Sequence, residues 1–360
     1  MSKIEWTNET WNPIIGCSKV SPGCENCYAE TMAKRLATIN TTDYYRSVVC
    51  ERAHVDPSGW NGRTSFIEHQ LNKPLKRKKP TMYFVCSMGD LFHESVPFEW
   101  IDKIMEVIAR SPEHTFQILT KRPGRMLEYF SDERDFASDW SFGDKYLEEA
   151  IRFKLGLPLP NVWLGVTAEN QEQAIKRVPI LLQIPAAVRF VSVEPMLGPV
   201  DLTHMDSTSE SDPGYNALYC GPDDEGDLQT IIDWVICGGE SGHNARPMHP
   251  NWVRDLQKQC KDANAPFFFK QWGEWGTRWF DFTTKKPVFK MFDSFLRWTQ
   301  KDWVHKGDVC LSLDGKICKT GGDLKEAKYP VAIMQKVGKH NTGSMLDDKH
   351  YKEFPKGGDK

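Results

Sequence analysis

Short apolar runs recur along the chain at intervals too long for hairpins: "TMYFVCS" (81 to 87), "TFQILT" (115 to 120), "NVWLGVT" (161 to 167), "VRFVSVEP" (188 to 195), "DWVICGGE" (233 to 240) and "PFFFKQW" (266 to 272). Each has the length and the β-branched or aromatic content of a strand buried on both faces. Segments of helical character lie between them, such as "FEWIDKIMEVIARS" (98 to 111), "NQEQAIKRVPILLQI" (170 to 184) and "PNWVRDLQKQCKDANA" (250 to 265). Strand alternating with helix calls for a parallel sheet with helical crossovers. With "WNPIIGC" as the first strand, the pattern predicts an α/β fold, a partial (β/α) TIM-type barrel of about six to seven parallel strands. A doubly wound sheet is the alternative.

Two departures from this alternation divide the chain. "AETMAKRLATI" has helical periodicity, with Met32, Leu36 and Ile39 on one face, and a polar stretch runs from there to Lys79. The acidic, turn-rich segment 203 to 230 reads as a surface insertion, and alternation ends near Gly276. The expected organisation is therefore a barrel over 1–275, with insertions near 40–79 and 203–230, and a C-terminal accessory or cap region over 276–360. "SLDGK" is a hairpin signal in that region, and the aromatic-rich stretch from Trp275 to Trp303 suits a lid.

Composition narrows the class. A hydrophobic content of 40% supports a substantial core, and no stretch is long and apolar enough to span a membrane. "MSKIEWTNETW" lacks the apolar region of a secretory signal, so a cytoplasmic location is expected. The formal charge of -3 argues against nonspecific coating of nucleic acid, which needs many cationic contacts to phosphate. One local basic run remains, "NKPLKRKKP", with Lys73, Lys76, Arg77, Lys78 and Lys79. It is either a solvated linker or a phosphate contact.

In parallel α/β folds, ligands bind at the carboxyl ends of the strands. The residues just after the apolar runs are polar in series: Cys17; then Ser87, Gly89, Asp90 and His93; then Thr120, Lys121 and Arg122. The later runs end in Thr167, Glu169 and Asn170, in Ser192 and Glu194, in Gly238, Gly239, Glu240 and Ser241, and in Lys270 and Gln271. One such strand end would be ordinary, but seven in series suit a charged, multifunctional ligand.

"PIIGCSKVSPGCENCYAE" places Cys17, Cys24 and Cys27 in one loop, spaced Cys-x6-Cys-x2-Cys. In a reducing cytosol, such crowding points to a metal or cofactor rather than disulfides. A structural zinc site needs four ligands, which Cys50 or His54 would complete. Cys24 and Cys27 alone would make a redox pair. Three thiolates on a 4Fe-4S cluster are the further reading, and they leave one iron open to chelate a cofactor. Coincidental core cysteines fit poorly, because "SPGCEN" is turn sequence.

These motifs, taken with "SMGDLFH", "ILTKRP", "GVTAEN", "SVEPMLGP", "GGESGHNARPM", "FFFKQWG" and "VGKHNTGSMLDDKHYKEFP", resemble the phage-associated three-cysteine-motif family, regarded as radical-SAM-like and distantly similar to spore photoproduct lyase. The resemblance implies a partial barrel, a 4Fe-4S cluster and S-adenosyl-L-methionine, and chemistry through a 5'-deoxyadenosyl radical. It further implies a phage setting in a host cytoplasm, and a nucleotide or nucleic-acid base, possibly in DNA, as substrate for modification or repair. An electron donor such as flavodoxin or ferredoxin would then be a partner. The usual radical-SAM signature has three residues in the first gap and an aromatic just before the last cysteine. Here the gap is six and Tyr28 comes after that cysteine.

On this reading Cys17, Cys24 and Cys27 are the metal ligands. Tyr28, Ser87, Asp90, Thr120, Lys121, Arg122, Glu169, Ser192, Gly238, Gly239 and Glu240 bind the cofactor, Asp90 accepting from the methionine amine or a ribose hydroxyl and Lys121 or Arg122 pairing with its carboxylate. Glu194, Lys270 and Gln271 act on the substrate. The rival from another class is a non-enzymatic zinc module that binds nucleic acid or a protein. Oligomeric state is not legible.

Overall fold

A computed structural model describes residues 4–39, 44–49, 59–131, 158–205, 214–219, 231–299 and 304–356. Residues 40–43 and 50–58 of the first expected insertion, Cys50 and His54 among them, and most of the second lie outside the described residues, as does the 300–303 end of the expected lid.

Seven strands form the main sheet and lie in it in chain order: β1 (Glu9–Trp11), β2 (Met82–Val85), β3 (Thr115–Thr120), β4 (Val162–Thr167), β5 (Val188–Val193), β6 (Trp234–Cys237) and β7 (Phe267–Phe269). β1, β2, β3 and β4 pair in parallel along their ladders, and so do β6 and β7. The crossovers carry helices α2 (Phe98–Ala109), α3 (Pro123–Ser131), α4 (Gln171–Leu182) and α5 (Pro250–Asp262), while α1 (Tyr28–Ile39) comes directly after the cysteine loop. The fold is an α/β partial (β/α) barrel, as the alternation predicts.

The first strand differs from expectation. Glu9–Trp11 joins the sheet, whereas Ile14–Ile15 pairs antiparallel with Ser65–Phe66 in a ladder of its own. Pro13, which has no N–H to give a ladder, separates the two.

The chain divides into two compact units, one of Met1–Thr167 with Lys176–Phe190, the other of Ala168–Ile175 with Val191–Lys360. In the first, every residue of β2 and β4 is buried, as two covered faces require. On one face Trp11, Tyr83 and Phe116 pack ring to ring. On the other, Trp6 packs on Phe84 and Phe190, and Gly165 leaves the room that the Phe190 ring fills, since a Cβ there would stand 2.5 Å from that ring. In α2, the buried Ile101, Ile104, Met105 and Ile108 recur at the helical spacing that makes an apolar stripe.

The helix after the cysteines forms where predicted, and of the three residues that share its apolar face only Leu36 packs on the core cluster. Ala29, Glu30 and Ala33 turn inward against Ile15, Val48 and Trp60, while Met32 and Ile39 are 42% and 68% exposed. Small side chains let the helix sit close to that cluster. The buried Glu30 carboxylate is satisfied by the Trp60 N–H at 3.3 Å and by Lys19 at 3.3 Å.

In the second unit a smaller antiparallel sheet is formed by β8 (Trp275–Gly276), β9 (Met291–Phe292), β10 (Val309–Leu311), β11 (Ile317–Cys318) and β12 (Val331–Lys336). The "SLDGK" turn is the hairpin joining β10 and β11, with Gly315 at φ 91°. Phe292, Cys310, Leu324, Val331 and Ile333 make its core. Residues 351 to 354 return to β7: Phe269 N–H donates to the Tyr351 carbonyl at 2.9 Å, and Phe354 packs on Trp234 and Phe268. An edge strand of the main sheet is thereby covered.

Candidate functional site

The cysteine loop leaves the sheet beyond the carboxyl ends of β1 and β2. Gly16, at φ 96°, donates its N–H to the Met88 carbonyl at 3.1 Å and bridges to Gly89. Neither position has room for a side chain: a Cβ on Gly16 would meet the Arg63 carbonyl at 2.3 Å, and one on Gly89 would meet the Gly16 carbonyl at 2.9 Å. The "SPGC" segment then makes a 3-10 turn over Pro22–Cys24, and Cys27 starts α1 by accepting the Thr31 N–H at 3.2 Å. All three thiols are free; Cys24 is buried and Cys17 and Cys27 are half-buried.

Arg122, just past the end of β3, organises this loop. Its Nε donates to both carboxylate oxygens of Glu94 at 2.9 and 2.8 Å, and its Nη1 donates to Asp90 Oδ2 at 3.0 Å and to Cys17 Sγ at 3.7 Å. Nη2 donates to the Ser18 carbonyl at 3.2 Å and to Ser18 Oγ at 2.8 Å. Asp90 is equally committed. Its Oδ1 accepts from Phe92 N–H at 3.0 Å and Thr120 Oγ1 at 2.7 Å, and its Oδ2 also accepts from Lys121 N–H at 3.2 Å. Thr120 in turn accepts the Arg122 N–H at 2.9 Å. β3 ends in Thr120, and it and the Lys121 and Arg122 that follow close around one buried carboxylate.

Tyr28 is 58% exposed, and its hydroxyl donates to the Ser87 carbonyl at 2.8 Å, tying α1 to the loop after β2. Ser87 Oγ donates to Asn12 Oδ1 at 3.1 Å. The buried His93 lies 2.9 Å from Ser18 Oγ through Nε2 and accepts the Ser95 N–H through Nδ1 at 3.1 Å.

Electrostatics separate the thiols. Burial, with the nearby Asp90 carboxylate, pushes the Cys17 thiol up to about 12 against the opposing pull of Arg122, and Cys24 and Cys27 add to the rise. Burial also acts upward on Cys24, but Lys121 and hydrogen bonds from the Val20 and Ser21 backbone outweigh it and hold that thiol below its ordinary value. Lys121 makes no ion pair among the described residues, which leaves its ammonium available where Arg122 is not.

The strand-end residues of the second unit form their own set. Glu194 pairs with Lys270, and Glu240 accepts from Arg246 at 2.9 Å through Nε and at 2.6 Å through Nη2. Gln271 is buried; its Nε2 donates to Ser241 Oγ at 3.1 Å, while its Oε1 has no partner. Glu169 and Ser192 are fully buried and their carbonyls accept from Leu197 and Ala168. Gly238 and Gly239 spend their N–H groups on the carbonyls of Val193 and Gln271. A Cβ on Gly239 would stand 2.0 Å from the Trp272 carbonyl, so this pair of glycines serves a close approach of two backbones.

The basic run sits at the other end of β2, ahead of its first residue. Lys73 and Arg77 pair with Glu9 at 3.1 and 3.0 Å, which leaves Lys76, Lys78 and Lys79 exposed to solvent there. Ser18 and Glu94, which complete the Arg122 network, had no signal in spacing; they are recruited by the fold.

A partial (β/α) barrel with a thiol-bearing loop at the carboxyl ends of its first strands is the class of protein these features define. The chain belongs to the family described as "Protein of unknown function (DUF5131)", whose family model matches residues 1–355. No curated protein matches. Among solved structures, a cysteine-to-serine mutant of spore photoproduct lyase is similar at 11% identity over 79% of this chain, with a TM-score of 0.28. The match spans 65% of that protein's chain. No helix among the described residues is long and apolar enough to cross a membrane.

Proposed function

We propose that this protein is a radical S-adenosylmethionine enzyme whose Cys17, Cys24 and Cys27 each bind one iron of a 4Fe-4S cluster. The observation that carries the reading is three free thiols on one loop at the carboxyl ends of β1 and β2, with Lys121 and Arg122 beside them.

The donor set fits such a cluster. Among the described residues no three His, Cys, Asp or Glu side chains converge as they would on a single metal ion. A multi-iron cluster does not ask for that, because each thiolate binds a different iron. Backbone N–H groups directed at the Cys24 sulfur, and cations beside the loop, suit an anionic thiolate cluster.

A cluster held by Cys17, Cys24 and Cys27 would supply the electron for reductive cleavage of S-adenosylmethionine. The chain's own residues bind and orient. Lys121 is the cation for the methionine carboxylate, because every donor of Arg122 is taken. Asp90 acts through Arg122 and the Lys121 backbone rather than by direct contact. Tyr28 fixes α1 to the Ser87 loop. In the second unit Glu194, Lys270 and Gln271 are the substrate-facing groups, the unpartnered Gln271 Oε1 being an acceptor for a donor on the substrate. A nucleotide or nucleic-acid base fits that acceptor, and residues 276–360 serve as an accessory region beside a 1–275 catalytic core. An external one-electron donor in the cytoplasm completes the reaction.

Anaerobic reconstitution tests this. The protein should hold about four irons and four sulfides, and with reductant and S-adenosylmethionine it should release 5'-deoxyadenosine, an activity that Cys24→Ala abolishes. A colourless protein with one zinc and no iron would refute it.

A further inference from the structure

Arg122 is held in a manner that a ligand-binding arginine is not. A guanidinium has five N–H donors. All five have partners here: Nε on Glu94, Nη1 on Asp90 and the Cys17 sulfur, Nη2 on the Ser18 carbonyl and Oγ. Arg122 and Asp90 are both buried, while Glu94 reaches solvent with its side chain 64% exposed. Ser18 is fixed from its other side by His93. The guanidinium therefore grips Cys17 through its sulfur and the next residue through two bonds, and its own position is set by two carboxylates.

Building on the cluster reading above, we propose that Arg122 is the positioning residue of that cluster. It holds Cys17 where a thiolate must stand, and its fixed positive charge, balanced by Asp90 and Glu94, sets the cluster's reduction potential. The physical reason is direct. Reduction adds one electron, drawn from an external donor, to a cluster already carrying three thiolates, and a cation touching one of the sulfurs favours the more negative state. Nearby carboxylates oppose it. Removing the cation and removing a carboxylate must therefore move the potential in opposite directions.

The test uses the full chain, reconstituted anaerobically with iron and sulfide, in an electron-paramagnetic-resonance redox titration with dithionite as the one-electron source. Iron per chain is measured separately. Arg122→Gln should move the potential negative by at least about 59 mV, the equivalent of a tenfold change in a one-electron equilibrium. Glu94→Gln should move it positive, and Arg122→Lys should stay near wild type because the charge is kept. Glu94 is exposed, so its variant keeps the proposal testable if Arg122→Gln fails to fold. Wild-type protein that binds no iron overturns the cluster reading itself. Wild type and variants that load equally and share one potential overturn only the role of Arg122. Equal iron loss in Arg122→Lys and Arg122→Gln, with Glu94→Gln unshifted, shows a role in folding alone and also overturns it.

Discussion

Lowering the pH should destabilise this protein through His249 in a window set by that one side chain. His249 is fully buried and caps α5: its Nδ1 accepts the Asn251 N–H at 3.1 Å, and its Nε2 donates to the Pro330 carbonyl at 3.1 Å. Both bonds require the neutral ring with its proton on Nε2. A proton added at Nδ1 would face the N–H that it now accepts. Burial is the main cause, with Arg254 adding to it against the opposing Pro330 hydrogen bond, and together they lower the His249 pKa from 6.5 to about 4. The folded value lies below the unfolded one, so between those limits the unfolded chain takes up a proton that the folded chain refuses. Stability is then full above pH about 6.5 and is lost as pH falls toward about 4. At about 1.4 kcal/mol per unit, the whole effect is on the order of 3 kcal/mol. The comparison is with His249→Asn, which keeps an N-capping acceptor but does not titrate. Urea unfolding of both proteins at a series of pH values from about 7.5 to about 4.5, which spans the histidine range, should show the wild type losing most of that stability relative to the variant. Parallel curves for the two proteins would refute the argument.

Asp90→Ala would strip Arg122 of its buried partner and leave the Thr120 hydroxyl and Lys121 N–H without their acceptor. A loss of about 3 kcal/mol in denaturant unfolding is expected, and a change under about 0.5 kcal/mol would show that Glu94 suffices. Deleting residues 351–360 would bare the edge of β7 and the faces of Trp234 and Phe268 that Phe354 covers. The shortened chain should aggregate on size exclusion, since an uncovered edge strand offers unpaired backbone groups; a stable monodisperse product would contradict this.

Much of the architecture was legible because a parallel sheet buries both faces of its strands. The runs from "TMYFVCS" to "PFFFKQW" are apolar for that reason, and the strands form within them. The places where the pattern misleads have local causes. Apolar content suggested "WNPIIGC" as the first strand, yet Pro13 stops the ladder and the less apolar Glu9–Trp11 pairs instead. Periodicity places Met32, Leu36 and Ile39 on one face of α1, yet only Leu36 of the three packs on the core cluster, because the small Ala29 and Ala33 let the helix approach closest on their side.

The chain by itself determined which chemistry is possible: three thiols crowded into a turn, and polar residues placed after every apolar run. Only the tertiary structure decided which of those polar residues are free to act. Asp90 and Arg122 each looked like a ligand contact, but both saturate their hydrogen-bonding capacity on the protein. Their partners Ser18, Glu94 and Thr120 come from three different loops and strand ends. Sequence spacing cannot encode such a network, because a hydrogen bond depends on positions within about 3 Å, and these are set only once β1, β2 and β3 stand side by side.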